Sequence, residues 1–214
     1  MKSLPKNIPT SFLHRIRLIF LPNGSVFYGW WIVAIASFVM YLGSLFWVQS
    51  YGAYAVVFNR EFGWSMTLLS GAYTLTRIES GLLGPLQGWM ADRYGPRIII
   101  SIGLLMLGIG LICLTQVETL PVYYFVVIII SLGIGLGGFQ TLMIAIVNWF
   151  QRHRTKAIAL AQLGASLGGL SVPMLAYGLE QFGWRTIAAT SGVAVIFLGI
   201  PLVQNLRHRP EEKG

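Results

Sequence analysis

Long stretches of the chain carry no charged side chain. Residues 18–59, 98–117 and 119–151 contain neither Lys, Arg, Asp nor Glu. Each stretch can supply the ~20 consecutive apolar residues that an α-helix needs to cross the hydrocarbon core of a bilayer. Together with the shorter apolar runs between polar segments, the pattern predicts six membrane-spanning helices, at residues 29–57, 66–91, 98–117, 120–149, 156–179 and 185–206.

The apolar segments are hydrophobic on every face, which is typical of helices that pack against other helices and against lipid. A membrane β-barrel would instead require ~10-residue segments of alternating polar and apolar residues, and the sequence has none. We therefore predict an all-α membrane protein. Its expected domains are a basic cytoplasmic N-terminal segment (1–28), a six-helix bundle (29–206) and a short charged tail (207–214).

Composition excludes a soluble protein. Hydrophobic residues make up 55% of the chain and charged residues 10%, whereas soluble domains are nearer a quarter charged. The net charge of +8 comes from basic residues that flank the apolar segments, so membrane lipid is an expected partner and nucleic acid is not. The lone Cys113 and the histidines, which lie outside the spans, offer no metal site. Neither a catalytic dyad nor a cofactor motif is apparent, so an enzyme is not expected.

The distribution of Lys and Arg predicts the orientation, because cytoplasmic loops carry an excess of both residues. With the N-terminus inside, the 15 Lys and Arg residues are all cytoplasmic except Arg60, Arg185 and the intramembrane Arg77. Both termini are then cytoplasmic, as in a multi-pass protein of the cell membrane. Interfacial tryptophans are expected at the ends of the spans, at Trp30, Trp31, Trp64, Trp149 and Trp184.

Two segments of the chain match when the sequence is shifted by 88 positions. Gly81 then aligns with Gly169, and Pro85 aligns with Pro173. The loops that follow align in the pairs Asp92–Glu180, Tyr94–Phe182, Gly95–Gly183 and Arg97–Arg185. Each unit holds three spans, and an odd number of spans inverts the second copy relative to the first. Inverted three-helix repeats recur in secondary transporters, with the substrate site near the midplane of the membrane.

The loop between the second and third predicted spans carries a spaced set of glycines and charges. The set is Gly88, Asp92, Arg93, Gly95 and Arg97, and it resembles the G-x-x-x-D-R-x-G-x-R signature of the major facilitator superfamily. The resemblance implies a cytoplasmic gating motif, in which the first glycine allows close approach to the other half of the transporter. The aspartate is then expected to face the N-terminus of a partner helix, where a negative charge is favourable.

Further segments resemble the monocarboxylate-porter and oxalate–formate-antiporter relatives in that superfamily. They are Tyr28-Gly29-Trp30, Glu61-Phe62-Gly63-Trp64-Ser65, Gly164-x-Ser166-x-Gly168 and Phe182-Gly183-Trp184-Arg185. The resemblance implies alternating-access secondary transport of a small organic anion, a monocarboxylate or dicarboxylate, with a proton or a counter-anion. Two alternatives stay open: a drug or sugar carrier of the same superfamily, and a truncated membrane protein that transports nothing. Many proton-coupled members carry an arginine early in the fourth span, where this chain has Ile128, Ile129 and Ile130.

Length departs from the family pattern as well. A complete member has two six-span halves, and the resemblance covers only the first. We therefore expect this chain to be the N-terminal half, with a C-terminal half or a second copy of the chain as its partner. The charged residues 207–213 resemble the start of the loop that joins the two halves.

Arg77 and Glu79 are the only charged residues in the interior of a predicted span, near the middle of 66–91. Charges at this depth are costly and are functional candidates by default. Two positions on a helix differ by about 200°, so the two side chains are expected to face different partners. Arg77 is interpreted as an anion ligand and Glu79 as a proton-coupling group. The alternative is a structural polar pair that links neighbouring helices.

Less specific stripes of aromatic, small and polar residues lie on the predicted spans that line the cavity in this family. On the first span the stripe is Ser44, Trp47, Tyr51 and Tyr54, and on the fourth it is Gly133, Gly137, Gln140 and Thr141. Aromatic walls with a few polar groups suit small-ligand pockets. Trp47, Tyr51, Tyr54 and Gln140 therefore join Arg77 and Glu79 as candidate site residues. Packing between helices is the alternative explanation for each.

Overall fold

The computed structural model describes residues 28–150 and 153–205, and within these ranges every regular element is a helix. The helices form six rods in chain order. Rod 1 is α1 (Tyr28–Gly43) and α2 (Tyr51–Phe62), joined through a π-helical turn (Ser44–Val48). Rods 2 and 3 are single helices, α3 (Met66–Tyr94) and α4 (Pro96–Leu114). Rod 4 is α5 (Leu120–Gly137) followed by α6 (Phe139–Trp149). Rod 5 is α7 (Arg154–Leu170) followed by α8 (Val172–Phe182). Rod 6 is α9 (Trp184–Ala194), a π-helical turn (Val195–Gly199) and α10 (Ile200–Gln204).

Five rods are long and apolar enough to cross a membrane by length and composition. They are Gly29–Phe62, Pro96–Leu114, Leu120–Val147, Arg154–Phe182 and Trp184–Gln204. Rod 2 has the length, since its 29 residues at 1.5 Å each measure about 43 Å, but it is more polar than the others. The prediction of an all-α, multi-pass membrane protein is confirmed, and five of the six predicted spans satisfy the criterion for crossing a bilayer.

The helices extend a few residues beyond several of the predicted spans, because a helix continues into the polar interface where apolar residues stop. Rod 1 runs to Phe62 instead of residue 57, and Gly63 ends it with φ 69°. Rod 2 runs to Tyr94 instead of residue 91, and Gly95 ends it with φ 84°. Rods 4 and 5 are each interrupted, at Gly138 and Ser171, which the predicted continuous spans did not anticipate.

Backbone geometry matches the 88-residue repeat. Gly95 has φ 84° and ψ 146°, and its counterpart Gly183 has φ 77° and ψ 148°. Each glycine separates one helix from the next in the left-handed region that favours glycine. The packing follows the repeat too: rod 1 packs against rod 5 and rod 4 against rod 2, two contacts that the repeat exchanges.

Rods approach one another through glycines that leave no room for a side chain. A Cβ atom added at Gly103 of α4 would lie 2.2 Å from the backbone nitrogen of Gly137. One added at Gly164 of α7 would lie 1.7 Å from the carbonyl oxygen of Ser37 in α1. Small residues permit this backbone contact inside membranes, where dispersion contacts replace the hydrophobic effect in holding helices together.

The tryptophans at the rod ends mostly pack inward. Trp31 is 62% exposed, as an interfacial residue should be, whereas Trp30, Trp149 and Trp184 are buried. Of these four rings, only that of Trp31 is exposed as a lipid-facing belt residue would be. The predicted N-terminal segment and the tail 207–214 lie outside the described residues, apart from Tyr28.

Candidate functional site

Rods 1, 2 and 4 enclose a small cavity that we call the Arg77 cavity, with about 360 Å³ of space including its open mouth. Rod 2 contributes a cation and hydroxyl groups, rod 1 contributes an indole ring, and rod 4 contributes one more hydroxyl. The lining residues are Trp47, Val48, Tyr73, Thr76, Arg77, Ser80, Ser131 and Ile134.

Arg77 supplies the charge of this cavity. Its Nη2 donates a hydrogen bond to the Tyr73 hydroxyl one turn earlier, and its Cζ lies 4.9 Å from the centroid of the Tyr73 ring. Among the described residues no carboxylate lies within 4.0 Å of the guanidinium. Because a guanidinium has five N–H donors, most of its hydrogen-bonding capacity remains for a ligand. A planar anion such as a carboxylate matches that geometry.

The aromatic residues of rod 1 hold Tyr73 in place. The Tyr51 ring lies 4.7 Å from the Tyr73 ring, and the Tyr51 hydroxyl donates to the carbonyl oxygen of Leu69 at 2.5 Å. Tyr51 also shares a 2.8 Å hydrogen bond with the Tyr123 hydroxyl. Because the single proton of Tyr51 is already donated, Tyr123 is the donor of that bond. Trp47 packs edge-on against Tyr51 at 5.4 Å and lines the cavity directly.

The remaining candidates from the aromatic and polar stripes lie away from the cavity. Tyr54 is 1% exposed and packs in the core between Trp47 and Phe58. Gln140 is exposed on rod 4 and faces rod 2 at Gly84, where an added Cβ would lie 3.8 Å from its amide. The structure thus brings Trp47 and Arg77 together, sets Tyr51 behind them, and leaves Tyr54 and Gln140 outside.

Glu79 turns toward rod 4 and is linked to the cavity by one hydroxyl group. The Ser131 Oγ donates to Glu79 Oε2 at 2.5 Å, and Ser131 itself lines the cavity. The other carboxylate oxygen, Oε1, is buried without a hydrogen-bond partner. Within the described part of the chain no cation lies within 4.0 Å of Glu79. Arg77 and Glu79 therefore do not pair with each other, and Ser131 stands between the carboxyl group and the cavity.

Sequence reasoning missed Tyr73 and Ser131. Tyr73 lies four residues before Arg77, the spacing at which side chains on a helix meet, and this spacing was an available signal. Ser131 is a lone hydroxyl after the apolar run 126–130. A polar residue in such a run can face a neighbouring helix, and only the packing of rod 2 against rod 4 identifies its partner.

The signature loop lies at one end of the bundle, with its charges exposed. Arg93 stacks near two aromatic rings, 5.3 Å from Trp89 and 5.9 Å from Tyr94. Asp92 is exposed and forms no ion pair within the described residues. A Cβ added at Gly88 would meet nothing within 4 Å. Arg97 is exposed in the first turn of α4, after the left-handed Gly95.

At the opposite end of the bundle, two of the sequence motifs meet. Glu61, at the end of α2, accepts a hydrogen bond from the indole Nε1 of Trp184. It also forms an ion pair with Arg185 at 2.7 Å. The Arg185 guanidinium lies 4.4 Å from the Trp184 ring centroid. The motif Glu61–Ser65 is thereby joined to the motif Phe182–Arg185.

The rods and their cavity define a class of protein: a multi-pass, all-helical membrane protein with a cation-bearing cavity among its helices. Residues 33–214 match the family model of the Major Facilitator Superfamily. The chain belongs to this superfamily.

Curated relatives cover several kinds of transporter. The chain is 28% identical over 172 residues to Monocarboxylate transporter 6 of Homo sapiens, with 79% of this chain and 33% of that protein aligned. It is 27% identical over 191 residues to the Fujikurins efflux protein of Gibberella fujikuroi, with 86% and 40% aligned. It is 26% identical over 154 residues to the Probable L-galactonate transporter of Escherichia coli, with 71% and 34% aligned. The chain thus spans well under half of the length of these three relatives.

Proposed function

We propose that the protein moves a small organic anion across the cell membrane by secondary active transport. The observation that carries the proposal is the guanidinium of Arg77, which lines a cavity near the middle of rod 2 and has no carboxylate within 4.0 Å in the described part of the chain. Holding a cation at membrane depth is costly, and an anionic ligand offsets that cost. Relatives named for monocarboxylate and L-galactonate transport support an acidic substrate.

Glu79 is proposed as the proton-coupling group. When Glu79 is ionised, the hydroxyl proton of Ser131 is donated to Oε2. When Glu79 is protonated, its own O–H can donate to Ser131 Oγ, and the Ser131 proton is free to turn into the Arg77 cavity. Protonation of Glu79 then adds one donor for a bound anion without moving any helix.

The described rods are proposed to form the N-terminal half of the transporter, with both chain termini in the cytoplasm. Alternating access requires one bundle to rock against another around a shared site. Rods 2 and 5 have apolar side chains for such a contact: Leu82 is 74% exposed, Leu170 78% and Met174 81%. The proposed partner is a C-terminal half, and a second copy of this chain is the alternative.

Substitution of Arg77 tests the proposed function. In the full-length product of the gene, we expect Arg77→Ala to weaken pyruvate binding by about 1.5–3 kcal/mol, roughly ten- to hundredfold in Kd, because charged hydrogen bonds are lost. Arg77→Lys should weaken binding less, since it keeps the charge and loses the planar geometry. Isothermal titration calorimetry in detergent measures both effects.

The control is Arg60→Ala, which removes an exposed arginine at the end of α2, away from the cavity. Membrane abundance is measured for every variant, because a purely structural Arg77 would give a poorly assembled alanine variant. If Arg77→Ala assembles normally and binds pyruvate as tightly as the unmodified protein, Arg77 is not the anion ligand. Binding of uncharged sugars or drugs in place of pyruvate would favour the alternative carriers of this superfamily.

A further inference from the structure

A second and larger chamber adjoins the Arg77 cavity. It lies among rods 1, 3, 4 and 5 and holds about 710 Å³ of space, including its open side. Val48 and Ile134 line both spaces. A ligand that extends past these two side chains would therefore occupy both. We call this space the Gln162 chamber after a polar residue at its rim.

The chamber has the opposite chemistry to the Arg77 cavity. None of the residues that line it is charged, and its surface is predominantly apolar. Its apolar side chains include Val39, Met40, Leu104 and Leu107. The polar side chains that line it are one hydroxyl and two amides. The hydroxyl, Ser44 Oγ, already donates to the carbonyl oxygen of Ala165 at 2.8 Å.

We infer that the two spaces form one bipartite site for an amphipathic monocarboxylate. The carboxylate lies against Arg77, and an uncharged, mainly aliphatic body passes Val48 and Ile134 into the Gln162 chamber. This inference rests on the proposed function, because it assigns the anionic end of the ligand to Arg77. It adds that the rest of the substrate is an apolar chain, since burying apolar surface in such a chamber is favourable.

Straight-chain monocarboxylates from acetate to octanoate test the inference. In the full-length protein in detergent, calorimetry should give a Kd that falls by about fourfold with each added methylene, the factor that burial of one CH₂ confers. The fall should stop when the chamber is full. Every acid in the series carries the same carboxylate, so the slope reports on burial of the aliphatic chain.

Gly43 is a position at which a larger side chain would reduce the volume of the chamber. It lines the chamber, has a helical backbone (φ −64°, ψ −38°), and an added Cβ would meet nothing within 4 Å. In Gly43→Leu we expect octanoate to lose its advantage over acetate. The matched control is Gly52→Leu, an exposed position on α2 with equal space and no contact with either cavity. It should keep the full slope.

The outcomes separate the two proposals. Equal Kd values for all acids in the unmodified protein would overturn the bipartite site and leave the anion site intact. An unchanged slope in Gly43→Leu would also overturn it, because chain-length dependence would then come from partition into detergent or from another surface. Failure of every acid to bind, acetate included, would refute the anion-transport function on which the inference depends.

Discussion

At the residue scale, the site depends on one hydroxyl group shared between a carboxyl and a cavity. Glu79 contacts Ser131, and Ser131 faces the space in which Arg77 lies. Helices α2, α4, α5 and α6 pack against rod 2. Helices α5 and α6 carry no charged residue, and the others carry theirs at their ends, at Arg60, Glu61 and Arg97. On rod 2 itself the charges besides Glu79 are Arg77, Asp92 and Arg93.

Removal of the Ser131 hydroxyl should uncouple anion binding from protonation. In the unmodified protein, protonation of Glu79 should tighten pyruvate binding, because only protonated Glu79 releases the Ser131 proton. We expect Ser131→Ala to flatten this dependence, with a loss at low pH of about 0.5–1.5 kcal/mol, the worth of one hydrogen bond. Calorimetric titrations across a pH series measure the effect.

Ser80→Ala is the matched control for this experiment. Ser80 lines the same cavity, but its hydroxyl donates to the carbonyl oxygen of Thr76 at 2.8 Å and does not reach Glu79. The pH dependence should survive this substitution. A variant lacking Ser131 Oγ that retains the full pH dependence would show that Glu79 does not act through Ser131.

The sequence identifies the charged residues of the site, but it does not identify the residues that contact them. Arg77 and Glu79 are the only charged residues away from the ends of a predicted span, so the sequence alone identifies them. Tyr73 and Ser131 become recognisable only when rod 1 packs behind Tyr73 and rod 4 meets rod 2. Tyr54 satisfies the same stripe as Trp47, yet it is buried among rings, because a helical stripe does not distinguish a cavity wall from a core.

At the element scale, the rods are held together by glycines whose spacing suits backbone contact. The sequence predicts the rods, since apolar length and breakpoints specify them. It does not predict the interruptions of rods 4 and 5, because Gly138 and Ser171 lie in segments where helix and break are both compatible with the pattern. Local packing decides between them.

Gly103→Ala should destabilise the contact between rods 3 and 4. The added Cβ would lie 2.2 Å from the Gly137 nitrogen, and backbone atoms cannot yield as a flexible side chain can. We expect a loss of about 1–3 kcal/mol, typical of overpacking, and a lower Tm in thermal unfolding in detergent. Gly52→Ala, which meets nothing within 4 Å, should be neutral or stabilising, since alanine is the better helix former. Equal Tm values for the two variants would contradict this assignment of the interface.

At the scale of the whole molecule, the signature loop and the repeat specify the family and the fold from sequence. They predict the bundle because the loop resembles the signature of the superfamily and because inverted three-helix repeats recur in secondary transporters. The faces that remain open on rods 2 and 5 could not be predicted in the same way. Apolar residues face lipid and protein alike, so hydropathy alone does not identify a surface that meets a second bundle.

Cysteine labelling tests the orientation of the bundle. In a Cys113→Ala background, Gln181→Cys should react with a membrane-impermeant maleimide in intact cells. Tyr94→Cys and His153→Cys should react only after permeabilisation, since their loops are predicted to be cytoplasmic. Gln181 and Tyr94 are exposed, so access across the membrane, and not burial, determines the outcome. Labelling of position 94 in intact cells would show that the predicted topology is wrong.

The contact of Glu61 with Trp184 and Arg185 has a mechanical consequence. It links rod 1 to rod 6, the first and last rods, at that end of the bundle. A displacement of α9 must then carry α2 with it. At the signature-loop end, Asp92 forms no ion pair with another rod of the described chain. We therefore expect rods 1 and 6 to move together at this end, whereas at the signature-loop end rod 1 contacts the end of rod 4, through the rings of Trp30 and Phe150.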